Sequence, residues 1–218
     1  MALFDIQDVS VQYSGLTVLD GISLSIHQGE RVALVGQSGA GKSTLLNLLY
    51  EQHKTEIALL PQDLGLVQTL SVFHNIYIAR LNLHPAWYNV LNLVRPMQKE
   101  VAPIREIAQR LRLEDKLFTP VSELSGGQRQ RTAVGRAIHQ GCRILLGDEP
   151  VSAVDEKQAR VVLDCIHEGH ETVVMALHDV GLALAYSDRI IGIKDGRIVL
   201  DQPSIGMEPS DLDDLYHH

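Results

Sequence analysis

No apolar run in this sequence approaches the roughly 18 residues that a bilayer-spanning helix needs, and the first twenty residues lack the charged-then-apolar pattern of a signal peptide. The expectation is a cytosolic protein. Cysteine is equally scarce. Cys142 and Cys165 sit beside apolar strand-like and helix-like stretches without metal-ligand spacing, which predicts buried reduced thiols and no disulfide. Blocks of Lys and Arg are missing too. With 19 basic against 27 acidic residues the formal charge is −8, which argues against a nucleic-acid partner, because phosphate backbones are held by clustered cations.

What is present suits an ordinary globular protein: 218 residues, 45% hydrophobic and 21% charged. That length supports one α/β domain with a substantial core, or a core plus a small subdomain. The most informative stretch is GQSGAGKS, from Gly36 to Ser43. It follows the apolar run Val32 to Val35 and precedes a helical pattern from Thr44 to Tyr50. A strand, a glycine-rich turn and a helix in that order are the context that a phosphate-binding P-loop requires. Gly36, Gly39 and Gly41 let the backbone take positive φ, so that the N–H groups of Gln37, Ser38, Ala40 and their neighbours face an anion together. Lys42 adds a cation for terminal phosphates, and the Ser43 hydroxyl, followed by Thr44, suits Mg²⁺.

Alternation predicts antiparallel strands over Phe4 to Tyr13, with a break at Asp8, and over Ile22 to Ile26. Tyr13 falls at a strand end, where its ring is either half buried or free to stack on a purine. Glu56 to Leu60 reads as a short strand delivering Gln62 to the ligand edge of a parallel sheet. Helical patterns cover Ser71 to Arg80 and Val101 to Leu113, with an irregular apolar stretch from Leu81 to Pro96 between them that contains Trp87 and Tyr88. At Leu124 to Gln128, LSGGQ, Ser125 can cap a helix whose bare start at Gly126 and Gly127 can meet a phosphate. Arg143 to Gly147 is a buried strand that closes on Asp148 and Glu149, two acids that are costly there without a cation or water to serve. Thr172 to Leu177 is another core strand, ending at His178. Asp195 and Gly196 mark a hairpin, and Pro209 to Tyr216 reads as a short acidic helix begun near Ser210 or Asp211.

GQSGAGKS, Gln62, LSGGQ, the ILLGDEP run ending at Pro150, SAVD at Ser152 to Asp155, and LHD at Leu177 to Asp179 occur in one order. Together they resemble the nucleotide-binding subunit of ABC transporters over nearly the whole chain. The resemblance implies a single α/β domain over residues 1–218: a RecA-like P-loop NTPase core with a helical signature subdomain inserted at about 63–140. It implies ATP and Mg²⁺ as cofactors, adenine stacking on Tyr13, and metal or its waters on Ser43, Gln62 and Asp148. Glu149 becomes the general base, His178 the γ-phosphate contact, and Asp155 part of the loop communicating between sites. Leu124, Ser125, Gly126, Gly127 and Gln128 then cap the nucleotide of a second subunit, so the working form is a homodimer with ATP between protomers.

Finer likeness, in the 81–96 segment, the Ser187 to Pro203 stretch and the DLDDLY ending, is to phosphonate-type importer ATPases. That implies permease subunits, a substrate-binding protein and a position on the inner face of the cell membrane. The alternative is a soluble ABC ATPase acting as a mechanical clamp, against which stands the lack of coiled-coil arms, zinc hooks and tandem ATPase halves. One departure is plain. Only twenty positions separate Lys42 from Gln62, which predicts a reduced antiparallel part.

Overall fold

The computed structural model describes residues 2–216; Met1, His217 and His218 lie outside it. The chain forms two compact units. The first takes the chain up to Gln62, Arg143–Ser152, and everything from Glu171 onward; the second takes Asp63–Cys142 and Ala153–His170. The helical insertion expected at about 63–140 is thus joined in its unit by a later segment.

In the first unit, β1 (Ala2–Tyr13) and β2 (Leu16–His27) form a two-stranded antiparallel sheet. Ser14 and Gly15 both have positive φ, as a two-residue turn that matches strand twist requires. The break read at Asp8 is real: its φ is 50° and the register shifts between Ile6 and Val9. Phe4, Ile6, Leu19, Ile22, Leu24 and Ile26 face a core shared with Leu34, Leu45, Leu46 and Leu49.

The main sheet contains β3 (Arg31–Val35), β4 (Ile57–Leu60), β5 (Ile144–Asp148), β6 (Thr172–Ala176), β7 (Arg189–Lys194) and β8 (Arg197–Pro203) in the order β4-β5-β6-β3-β7-β8. Every pairing is parallel except β7 with β8, a hairpin turned by Asp195 and Gly196 at φ 49° and 75°. Strands β3, β5 and β6 are buried almost throughout, which explains why their sequences read as continuous apolar runs instead of alternating. Parallel strands end together, so the residues after β3, β4, β5 and β6 gather along one carboxyl edge. Helix α1 (Lys42–Gln52) leaves that edge after β3, and its chain returns directly into β4. Within the described residues no strand lies between them, so the antiparallel part is reduced as expected.

The second unit holds α2 (Val72–Tyr77), α3 (Ala86–Val94), α4 (Gln98–Arg110), α5 (Gly126–Gln140) and α6 (Glu156–Gly169). Ser71 caps α2, and the chain continues as a 3-10 helix over Ile78–Leu83. Buried Asn75 holds the preceding loop through Val67, Leu70 and Ser71. The segment 81–96, read as irregular, is largely helix α3. Its polar side chains point inward: the Tyr88 hydroxyl donates to Glu100 at 2.8 Å, Asn89 accepts from Tyr77, and the Asn92 side chain accepts from the Met97 amide. Its apolar residues point outward, the reverse of the pattern that marks a core-facing helix. One smaller expectation also needs correction: Cys142 is only half buried, unlike Cys165. The short acidic helix expected at Pro209 to Tyr216 is a 3-10 helix over Pro209–Leu215, capped by Glu208 with Asp211.

Helix α5 ends at Gly141 (φ 76°), and His139 in its last turn is 4% exposed, its Nε2 without a hydrogen-bond partner among the described residues. Burial, and secondarily the charge of Arg80, pull its pKa from 6.5 down to about 4, with Glu100 opposing. The unfolded chain therefore takes up a proton below about pH 6.5 that the folded chain refuses until about pH 4. Stability contributed by neutral His139 is present above pH 6.5 and lost as pH falls, by at most roughly 3 kcal/mol. Urea unfolding of His139→Gln should accordingly show a shallower loss of stability between pH 7 and pH 4.5 than the parent; identical slopes would exclude His139 as a contributor.

Candidate functional site

The loop between β3 and α1 owes its shape to three glycines, each for a different reason. Gly36 (φ 141°) lies against β7, where a Cβ would fall 2.1 Å from the Ile193 carbonyl oxygen. At Gly41 (φ 108°), which begins α1, a Cβ would meet Leu19 Cδ2 at 2.6 Å. Gly39 (φ 82°) has open space where its side chain would be, so there the backbone itself is the accessible surface. Among the described residues no side chain caps α1, leaving its first amides available to an anion.

Lys42 is buried, and its ammonium donates to the carbonyls of Gly36 at 2.8 Å and Gln37 at 2.9 Å. Burial lowers its pKa, while the negative charges of Glu149 and Asp148 pull the other way. One cation thus sits in the field of two carboxylates at the end of β5, an arrangement that favours a second cation. Ser43 and Gln62 are exposed and Asp148 is half buried. Hydroxyl, amide carbonyl and carboxylate oxygens are the hard donors Mg²⁺ takes, and their small number fits an ion that shares its coordination with phosphate and water. The residues present therefore fit a magnesium nucleotide.

Glu149 has φ 55°, uncommon for a residue with a side chain, and its amide donates to the Ala176 carbonyl at 3.1 Å across to the end of β6. The strained turn faces the carboxylate toward His178, whose Nε2 lies 2.5 Å from Glu149 Oε1. Asp179, next in sequence, instead caps α7 (Val180–Tyr186) by accepting from the Leu182 amide at 2.9 Å. A carboxylate in contact with a histidine, beside a lysine-bearing phosphate loop, can accept and hold a proton during attack by water on a phosphoryl group. Tyr13 stands at the end of β1 with 56% of its surface exposed, so it is not a half-buried strand residue.

The first unit thus brings together residues 36–44, Asp148, Glu149 and His178. Gln62 and Tyr13 belong to the same unit.

The second unit gathers Leu124–Gln128 and Asp155. Ser125 accepts from the Gln128 amide while the Gln128 side chain accepts from the Ser125 amide, a reciprocal capping box at the start of α5. A Cβ on Gly127 would lie 2.9 Å from the Ala153 carbonyl oxygen, so this glycine is needed for packing as well as for a bare helix start. Buried Gln130 accepts from the Ala153 amide at 2.8 Å. That side chain escaped sequence reasoning; its only signal is a polar residue on the core face of α5. Asp155 caps α6 through the Gln158 amide at 2.9 Å, so its carboxylate has a structural task whatever else it does.

The sequence matches the family described as ABC transporter over residues 19–56 and 50–152. It is 40% identical, across 93% of this chain and 87% of the relative, to a phosphonates import ATP-binding protein of Pseudomonas syringae pv. tomato. A relative of the same description from Lactobacillus gasseri is 35% identical over 99% of this chain and 93% of its own. Among solved structures, a dimeric bacterial ABC transporter cassette superposes with a TM-score of 0.80 at 24% identity, covering 93% of this chain and 99% of that one, a likeness of fold. A post-hydrolysis dimer of an ATP-binding cassette bound to ADP and Pi has a TM-score of 0.76 at 25% identity and the same coverage.

Proposed function

From the premise that this chain belongs to the ABC transporter family, we propose that it is the ATP-hydrolysing subunit of an importer whose cargo is a phosphonate or a related small oxyanion. ATP is its substrate and Mg²⁺ its cofactor, and it works as a homodimer with permease and substrate-binding components. It lies on the inner face of the cell membrane; no described helix is long and apolar enough to cross one. The observation that carries the enzymatic reading is the Glu149–His178 contact at 2.5 Å, placed at the same sheet edge as buried Lys42.

Lys42 and the amides of residues 36–44 bind the phosphates, with Tyr13 against the adenine. Ser43, Gln62 and Asp148 hold Mg²⁺ or its waters, and the ion neutralises charge on the phosphate oxygens when bound. Glu149 takes the proton from the attacking water, and His178 fixes that carboxylate and reaches the γ-phosphate. Leu124–Gln128 of one protomer completes the site of the other, and Asp155 belongs to the loop between the two sites. Little covalent chemistry is asked of the protein: positioning and charge supply the rate. Closure of the dimer on ATP and its reopening after hydrolysis form the two-state element that drives the permease.

Helix α3 supplies the membrane-facing partner surface. Trp87 and Val94 are 68% and 80% exposed, with Val90, Leu91 and Leu93 beside them. Tyr77 is buried and Tyr88 half buried, so neither ring adds to this surface as Trp87 does. Such a concentration of apolar side chains on one short helix suits a permease's cytoplasmic segment.

Three outcomes follow. Glu149→Gln should bind ATP as the parent does while single-turnover hydrolysis falls by about 10²- to 10⁴-fold; parent-rate turnover would remove Glu149 from the role of base. Trp87→Glu should keep the soluble ATPase rate within about twofold and lose coupling to transport in the assembled complex, since charge at an exposed interface position disrupts association more than fold. Membrane vesicles carrying the complete importer should take up an alkylphosphonate in an ATP-dependent manner, and uptake confined to chemically unrelated solutes would refute the cargo assignment.

A further inference from the structure

The C-terminal turn Pro209–Leu215 is anchored on the strand that borders the phosphate loop. Leu212 and Leu215 are buried, and a Cβ on Gly192 of β7 would fall 2.8 Å from Leu215 Cδ1, so the sheet leaves room for that leucine by having no side chain there. Two residues on, the Lys194 ammonium donates to the Asp214 carbonyl at 2.8 Å. Between these two, Ile193 presents the carbonyl against which Gly36 packs. A single strand therefore supports the tail and the loop side by side.

The tail also bonds to the loop directly. Gln37 Nε2 donates to the Tyr216 carbonyl at 2.9 Å. The Tyr216 hydroxyl is buried beside the Gly36 backbone and has no partner in hydrogen-bonding geometry among the described residues; burial raises its pKa and the neighbouring Gly36 backbone offsets part of that rise. Gly36 and Gln37 are the residues whose carbonyls hold the Lys42 ammonium. Whatever fixes those two residues fixes where the cation sits.

We propose that Tyr216 is a positioning residue of the nucleotide site, its seated ring and main-chain carbonyl bracing the first two residues of the phosphate loop through Gln37. This rests on the ATPase reading above. The contact acts on binding: a loop released from its brace must be ordered by the nucleotide, at the expense of affinity. The Gln37 bond is to the main chain, so the ring matters for seating and the hydroxyl does not.

The test is a steady-state and binding series with Mg-ATP on the full chain. Tyr216→Ala and Gln37→Leu should each raise KM and Kd by about fivefold, the scale of one neutral hydrogen bond, with kcat within twofold. The double variant should be no worse than either single one, because both remove the same link. Tyr216→Phe should keep parent values. Additive effects in the double variant, or an unchanged Kd in a folded Tyr216→Ala protein, would overturn the proposal. Should Tyr216→Ala fail to fold, Gln37→Leu reads the same bond from the loop side, and an unchanged Kd there is equally fatal. A parent that bound Mg-ATP without hydrolysing it would instead overturn the functional reading, with Kd still reporting on the brace.

Discussion

A buried ammonium must be surrounded by oxygen, and the way that demand is met at Lys42 organises the first unit. Two of the oxygens come from the loop itself, the carbonyls of Gly36 and Gln37. Two carboxylates at the end of β5 supply the compensating field. The second contribution is possible only if β3 and β5 end at one edge, which a parallel sheet guarantees. Nor could the loop approach β7 if Gly36 carried a side chain. The charge therefore constrains strand order, loop backbone and packing at once.

Much of this was legible in the sequence because it depends on local chemistry. The P-loop glycines, the helix cap at Ser125, the turn at Asp195 and Gly196, and even the irregularity at Asp8 are set by what individual residues permit the backbone to do. The parallel strands were equally plain, since both faces are buried and the apolar runs are unbroken. What escaped notice is of another kind. Helix α3 was missed because its apolar side faces out and its asparagines and tyrosine face in, and a search for a core-facing stripe cannot find a helix held by polar contacts. Gln130 and Tyr216 were missed because their partners lie 23 and 179 residues away in the chain. Asp155 shows a third limit: the motif that named it could not reveal that its carboxylate is already engaged as a cap.

The inversion of α3 has a physical logic. An apolar surface that must meet a partner has to be held rigidly without being buried, and hydrogen bonds from the opposite side of the helix can do that. Tyr88 to Glu100, Tyr77 to Asn89 and Met97 to Asn92 fix α3 from behind. Such bonds are directional, so they fix orientation more sharply than apolar contact would. The cost is a buried carboxylate at Glu100, met by the Tyr88 hydroxyl and by His84 at 3.7 Å.

The short connection from α1 into β4 leaves β1 and β2 as a sheet of two strands with no third strand on either edge among the described residues, although the Asp20 amide of β2 donates to the Gly196 carbonyl at 2.9 Å and His53 lies 3.0 Å from the Leu3 carbonyl of β1. Free edges are templates on which other chains can add strands and aggregate. Here the register of β1 shifts between Ala2 and Phe4, between Ile6 and Val9, between Val9 and Val11, and again before Gln12, so no long row of amides and carbonyls stays in step. Asp5 and Asp8 place carboxyl groups along the same exposed strand. An incoming chain would find a bent, charged rim with no more than a few consecutive bonding positions, and the irregularity that makes β1 hard to draw as a ribbon protects the protein from its own copies at high concentration.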